Sequence, residues 1–197
     1  MPYYYNGSAI QTPFVITSNR QAFQMETLSL KQSTFLTEAQ RWELSFNILM
    51  NDDEGDVFGA HTWDFFKKKT MIMPQLVGPK KKLTLSNNLV TSGAVIGGSL
   101  GVIASTNQIG VLPAGYFIKF GNHEKIYAVK ETVSFVSNNR AISLFPNLVT
   151  AVPNGTPVLI GYDAVLKYQL DFSSGQGIKF NDGILSDVGQ IKLIESL

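Results

Sequence analysis

The chain contains no cysteine and only two histidines, His61 and His123. The first absence excludes a disulfide framework, thiolate chemistry and cysteine-ligated zinc, and fits assembly in a reducing interior. The second leaves too few imidazoles for a histidine-rich metal centre. Charge is scarce as well. Asp, Glu, Lys and Arg make up 16% of the residues, against roughly 25% in an ordinary soluble domain. A net charge of +1 supplies no global field to draw nucleic acid or an acidic membrane. Long apolar runs are missing too. The longest low-charge stretch, SNNLVTSGAVIGGSLGVIASTNQIGVLPAG, is cut by glycines and polar residues into pieces too short to cross a bilayer. The opening MPYYYNGSAIQTP lacks the basic start and apolar core of a signal peptide.

Against these absences stands a hydrophobic content of 44%. So much apolar content with so few charges points to surfaces that meet protein rather than water. The pattern from Phe23 is sheet-like: FQMETLSLKQ reads as one strand and TEAQRWELSFNILM as a turn feeding a longer one. Trp42, Leu44, Phe46 and Ile48 fall on one face, and Arg41, Glu43, Ser45 and Asn47 on the other, the period of a half-buried strand. Leu28 and Leu30 can join the apolar layer from the first strand of this hairpin. After NDDEGD, residues Phe58, Thr62, Phe65 and Phe66 recur at helical spacing, with acids ahead and Lys67–Lys69 behind, as a helix dipole prefers. A helix over 56–68 is therefore expected to lay an aromatic stripe on the sheet. TMIMPQL, residues 70–76, reads as a further strand.

Residues 83–162 have a different grain. Short β-prone runs alternate with Gly, Asn, Ser and Pro, which implies a small barrel or sandwich. AVLKYQLDF then restores the earlier alternation, with Leu166, Tyr168, Leu170 and Phe172 on one face. The expected fold is α+β, mainly β: an antiparallel sheet domain with one packed helix, made of 1–82 and 163–197, carrying an inserted β-barrel module at 83–162. A single continuous all-β domain is the alternative. Within the module, PAGYFIKFGNHEKIYAVKE reads as a stiff ribbon turning at Gly121 and Asn122 on cheap positive φ. Ile118 and Phe120 would face inward, and Phe117, Tyr127 and Val129 would meet a neighbouring element.

Reactive chemistry is thin. His61 belongs to the expected aromatic helix, and His123 to a polar turn where it should be exposed. NDDEGD fails the ligand spacing of a calcium loop and is better read as helix capping. GGSLG has no following Lys-Ser/Thr and so is no phosphate cradle. No serine stands in a nucleophile elbow. The lysine runs 67–69 and 80–82 sit at element boundaries, where lysines ordinarily face solvent. The expectation is a protein with no catalytic, cofactor-binding or metal-binding residues and no enzymatic activity. A carbohydrate- or host-surface-binding β module, a nucleic-acid-associated protein and an unrecognised enzyme remain as alternatives.

QAFQMETLSLKQSTFLTEAQRWELSFNI, the aromatic segment after it, PAGYFIKFGNHEKIYAVKE and AVLKYQLDF together resemble the distal tail proteins of long-tailed bacteriophages, and the related tube-like baseplate proteins of contractile tails. Some relatives have an aspartate after the ribbon's glycine, where this chain has Tyr116. The resemblance implies a tail-tube-like domain that forms a six-fold ring, with an outer barrel of oligonucleotide/oligosaccharide-binding type. Such a ring joins the tail tube to the hub or baseplate proteins at the distal end of the virion, after assembly in the host cytoplasm. Genomic DNA passes through its lumen without lasting contact, and no membrane insertion is implied. On this reading Arg41, Glu43, Ser45, Asn47, Lys167 and Gln169 belong to the lumen or the subunit interface. Lys119, His123, Glu124 and Lys125 would reach baseplate partners from the outer module.

Overall fold

A computed structural model of the chain describes residues 3–5, 8–26, 32–48, 67–76, 82–85, 88–136, 138–171, 179–181, 184–187 and 189–197. It is mainly β. The strands in chain order are β1 (Tyr4–Tyr5), β2 (Ser8–Glu26), β3 (Gln32–Ile48), β4 (Lys69–Ile72), β5 (Val90–Thr91), β6 (Gly101–Ser105), β7 (Ile109–Leu112) and β8 (Phe117–Phe120). They continue with β9 (Ile126–Val129), β10 (Val133–Val136), β11 (Arg140–Phe145), β12 (Val158–Ile160), β13 (Val165–Leu170), β14 (Lys179–Asn181), β15 (Ile184–Asp187) and β16 (Ile191–Glu195). The expected helix over 56–68 lies outside the described residues except for Lys67 and Lys68. Leu28, Leu30, His61 and NDDEGD lie outside them altogether.

The chain divides into two compact units, residues 1–71 with 167–196, and 72–166 with Leu197. The first unit is built on a six-stranded sheet in the order β1-β2-β3-β16-β13-β4. Its hairpin is longer than the sequence pattern announces. β2 begins at Ser8, so Asn19 lies opposite Arg41 and Phe23 opposite Phe35. The polar run Thr17–Arg20 hid this strand because all four residues are solvent-exposed, so no apolar alternation marks it. Pro13 has no N–H to give the ladder, and the β2–β3 register shifts between Gln11 and Val15.

Alternation decides which face of this sheet is buried. Trp42, Leu44, Phe46 and Ile48 of β3 are buried, as are Ile191 and Leu193 of β16 and Leu166, Tyr168 and Leu170 of β13. Tyr5 packs edge-on to Phe46 at 5.4 Å, and Phe14 stacks on Phe46 at 5.3 Å. Burial first, and the neighbouring Tyr5 second, push the Tyr168 hydroxyl above the usual phenol range.

The second unit holds a nearly closed barrel of six strands, β12-β8-β9-β11-β6-β5. Its edges meet through the antiparallel bridge Val90–Pro157. Val158 N–H donates to Leu89 C=O, and Thr91 N–H to Thr156 C=O, both at 2.9 Å. Closure removes the exposed edges that would otherwise invite pairing. The barrel has one strand more than the five of the oligonucleotide/oligosaccharide-binding type. Ile118, Phe120, Tyr127, Val129, Ile142 and Leu144 are among its core residues, which Leu112 of β7 and Phe135 of β10 join from a separate two-stranded ribbon. Each such aliphatic or phenyl group contributes about 1.5–3 kcal/mol by its burial.

The ribbon β8–β9 corrects the expected faces. Ile118 lies directly opposite Tyr127, so Tyr127 and Val129 point with Ile118 and Phe120 into the core. Directly opposed residues share a face, and a five-residue connection, 121–125, sets that register. Gly121 does not adopt positive φ. Glycine is needed there because a Cβ would stand 2.7 Å from Pro157 Cγ.

Candidate functional site

The polar face of the first sheet is the larger candidate. On β3, residues Arg41, Glu43, Ser45 and Asn47 alternate with the buried Trp42, Leu44 and Phe46. Antiparallel register extends this face across neighbouring strands. Thr17 and Ile194 flank Glu43, with Gln169 beyond Ile194. Val15 and Lys192 flank Ser45. Asp171 N–H donates to Lys192 C=O at 3.0 Å, which continues the Ser45 row. Asn19 lies opposite Arg41, and Lys167 C=O accepts Ser196 N–H at 2.9 Å. Gln11 lies opposite Asn47. The sheet thus carries all six sequence-derived lumen or interface residues on one face.

Their local chemistry is that of a solvated, mixed-sign surface. Glu43 Oε1 accepts a hydrogen bond from Asn19 Nδ2 at 2.7 Å and stands 3.3 Å from Arg41 Nε. Both partners of this ion pair are partly exposed, so it contributes at most about 1 kcal/mol. Beside it, Thr17, Glu43, Ser45, Asp171 and Lys192 help to line an open depression of about 230 Å³. Sequence reading missed Thr17, Asn19, Asp171 and Lys192. Alternation in GQIKLIESL was the available signal for Lys192, whereas the partners from β2 emerge only from the register.

This face adjoins a long open strand edge. β1 covers β2 only at Ser8 and Ala9, with Ile10 N–H donating to Tyr3 C=O at 2.9 Å. Among the described residues, no strand pairs with the outer edge of β2 from Gln11 to Glu26. Such an edge offers main-chain donors and acceptors to another chain.

The second candidate is the β8–β9 connection, and here the structure amends the expectation of four outward contacts. Lys125 is fully buried, and the Lys119 side chain is only 11% exposed. Lys119 sits on a strand whose residues are all buried, and its ammonium donates to Glu124 Oε2 at 2.6 Å instead of reaching outward. Glu124 is the more accessible partner at 42%. His123 is half-buried rather than exposed, between Asn122 and Tyr127. Burial first, and then the Lys119 ammonium, lower its pKa from 6.5, while Glu124 acts in the opposite direction. Of the four, Glu124 and His123 retain access to a partner.

Comparison of the sequence with protein-family models found no match, and comparison with curated proteins found none.

Proposed function

We propose that this protein is a structural component of a phage tail, a ring that joins the tail tube to the distal hub or baseplate and leaves a lumen for DNA. The observation that carries the reading is the two-faced sheet of the first unit. Its apolar face is buried, and its other face is mainly polar over β2, β3, β16 and β13, with Val15 and Ile194 set among the charged and polar side chains. The charges on that face are nearly balanced: Arg41, Lys167 and Lys192 against Glu43 and Asp171. DNA passing such a wall meets water-compatible groups without a dense row of cations, whose phosphate contacts would hold it.

The open edge of β2 supports self-assembly. A repeated contact between unlike surfaces either closes into a ring or runs on as a filament. Closure leaves no end unsatisfied, and a low surface charge lowers the cost of drying the contacts. Six-fold symmetry and the position in the tail come from the resemblance to distal tail proteins. The barrel of the second unit serves as the outer attachment module, with no catalytic role.

Symmetry-resolved electron microscopy of intact particles with subunit-specific labelling tests this reading. The expected image is a ring at the junction of tube and distal apparatus, with the polar face of the sheet toward the lumen. Finding the protein only in a capsid shell, or at a fibre tip without a tube-like ring, would overturn it.

A further inference from the structure

The seam where β12 meets β5 is fastened by the turn Pro153, Asn154, Gly155 and Thr156, in which Gly155 supplies a positive φ of 77°. Main-chain bonds run both ways between this turn and Thr91. Gly155 N–H donates to Thr91 C=O, and Thr91 N–H donates to Thr156 C=O, both at 2.9 Å. The buried Thr91 side chain adds to them: its Oγ1 donates to Pro153 C=O at 2.6 Å and accepts Thr156 N–H at 2.9 Å. Asn154 Oδ1 accepts Gly93 N–H at 2.8 Å.

Asn154 and Gly155 are themselves exposed to water, and their order in the chain permits a reaction. In an Asn-Gly pair the glycine nitrogen stands next to the asparagine carboxamide, and glycine has no Cβ to hinder their approach. Once hydroxide has taken the Gly155 N–H proton, the nitrogen attacks Asn154 Cγ. The Gly155 N–Cγ bond forms and the Cγ–Nδ2 bond breaks. Nδ2 takes up a proton from water and leaves as ammonia, and a cyclic succinimide remains. Water then opens the ring at one of its two carbonyls, giving aspartate or isoaspartate. Water and hydroxide are the only co-reactants.

In the closed seam both reacting groups are engaged. The Gly155 proton is held by Thr91 C=O, which withholds it from hydroxide. The Asn154 carboxamide is tethered to Gly93 on the segment after β5, which restrains its rotation toward the Gly155 nitrogen. The buried Thr91 hydroxyl holds the turn on both sides of the pair, at Pro153 and at Thr156. Reaction therefore requires the turn to lift from Thr91 first.

We propose that Asn154 is a latent deamidation site that the barrel seam keeps silent: while Gly155 N–H is bonded to Thr91 the pair does not react, and each opening of the seam exposes it to conversion into aspartate or isoaspartate. The two products differ in consequence. An aspartate at 154 keeps an oxygen for Gly93 N–H and leaves the spacing of the turn unchanged. Isoaspartate routes the main chain through Cβ and Cγ and so adds a carbon between Pro153 and Gly155. The lengthened turn no longer meets the N–H and the C=O of Thr91 together, and the seam does not close again. The site is independent of the tail reading.

Base-catalysed amide exchange removes the same Gly155 proton, so two separate rates test the proposal. The full-length protein is incubated at mildly alkaline pH, folded or in guanidinium chloride, and peptide mapping follows the mass gain of amide-to-acid conversion at Asn154. Amide exchange at Gly155 is measured in the folded protein. Gly155 should be protected, and folding should slow deamidation by at least the same factor, because both reactions await the same opening. Thr91→Val, which lacks the hydroxyl that holds the turn, should raise both rates together by about tenfold. Leu144 of β11, whose N–H donates to Leu100 C=O, should stay protected in that variant, which separates seam opening from unfolding. Isoaspartate-containing protein should lose protection at Thr91 N–H, whereas Asn154→Asp should keep it. Deamidation of the folded wild type at the denatured rate, or a deamidation rate that stays constant in Thr91→Val while Gly155 exchange rises, would overturn the proposal.

Discussion

Glu195 turns its carboxylate onto the main chain of Trp42, with Oε2 accepting the Trp42 N–H at 3.0 Å in a buried setting. The relationship completes the sheet where its ladder stops. β16 and β3 are in register as far as Ile194 and Glu43, and the next inward residue, Trp42, has its donor met by a side chain instead. Leaving a buried N–H without a partner costs about 1–3 kcal/mol. Glu195→Ala should therefore lower stability by about that amount, whereas Glu195→Gln, which keeps an acceptor oxygen, should lose less. Denaturant unfolding followed by tryptophan fluorescence measures both. Equal stability of wild type and Glu195→Ala would show that the bond contributes nothing net.

Two glycines of the barrel are required for space rather than for backbone conformation. A Cβ at Gly101 would stand 2.6 Å from Ile142 O, and one at Gly121 would stand 2.7 Å from Pro157 Cγ. Overpacking of this kind costs about 1–3 kcal/mol. Gly101→Ala should be the worse of the two, because it meets backbone inside the β6–β11 ladder while the Pro157 ring can shift. Comparing the melting temperatures of the two variants decides the order.

The Lys119–Glu124 pair is unequal, with the ammonium nearly enclosed and the carboxylate partly exposed. Removing the acid strands a cation in a poor environment, whereas removing the cation frees an acid that can hydrate. Glu124→Ala should thus destabilise the protein by about 1–2 kcal/mol, between the values for exposed and buried pairs. Lys119→Met should cost less. Chemical denaturation of the single variants and the double variant gives the coupling directly.

His123 makes stability depend on pH with a definite sign. Its folded pKa is lowered from 6.5 by burial first and Lys119 second, so the unfolded chain takes up the proton more readily. The resulting stability is fully present above pH 6.5 and declines as pH falls from 6.5 to the folded value. Each unit of lowering corresponds to about 1.4 kcal/mol. Unfolding curves of wild type and His123→Gln should converge as the pH falls through this window, and differ by a constant amount above it.

The polar face of the first sheet gives the proposed lumen a quantitative test. Among the described residues named on this face, Glu43→Lys with Asp171→Lys turns three cations and two anions into five cations and no anion. A DNA-lining wall so altered should slow ejection and make its rate strongly salt-dependent, since each added phosphate contact steepens the salt slope by roughly one unit. In vitro ejection at several salt concentrations measures this. Unchanged kinetics in assembled particles would place the face away from the DNA path.

The alternation in RWELSFNI and VLKYQL determined, without any structure, that Trp42, Leu44, Phe46, Leu166 and Tyr168 are buried and that Arg41, Glu43, Lys167 and Gln169 face the other way. Period two is a local property of an extended chain, so neighbouring residues suffice to reveal it. Local pattern does not say which strands become neighbours. That β16 enters between β3 and β13, bringing Lys192 to Ser45 and Glu195 to Trp42, depends on pairing between segments far apart in the chain. The same holds for the β8–β9 register. A five-residue connection, rather than a two-residue turn, sets Ile118 opposite Tyr127 and carries both to the core. Lys119 and Lys125 show the limit most plainly. Charge is written in the sequence, and Glu124 reaches Lys119 from within the same hairpin, but the surroundings that enclose the two ammonium groups exist only once distant strands have closed the barrel.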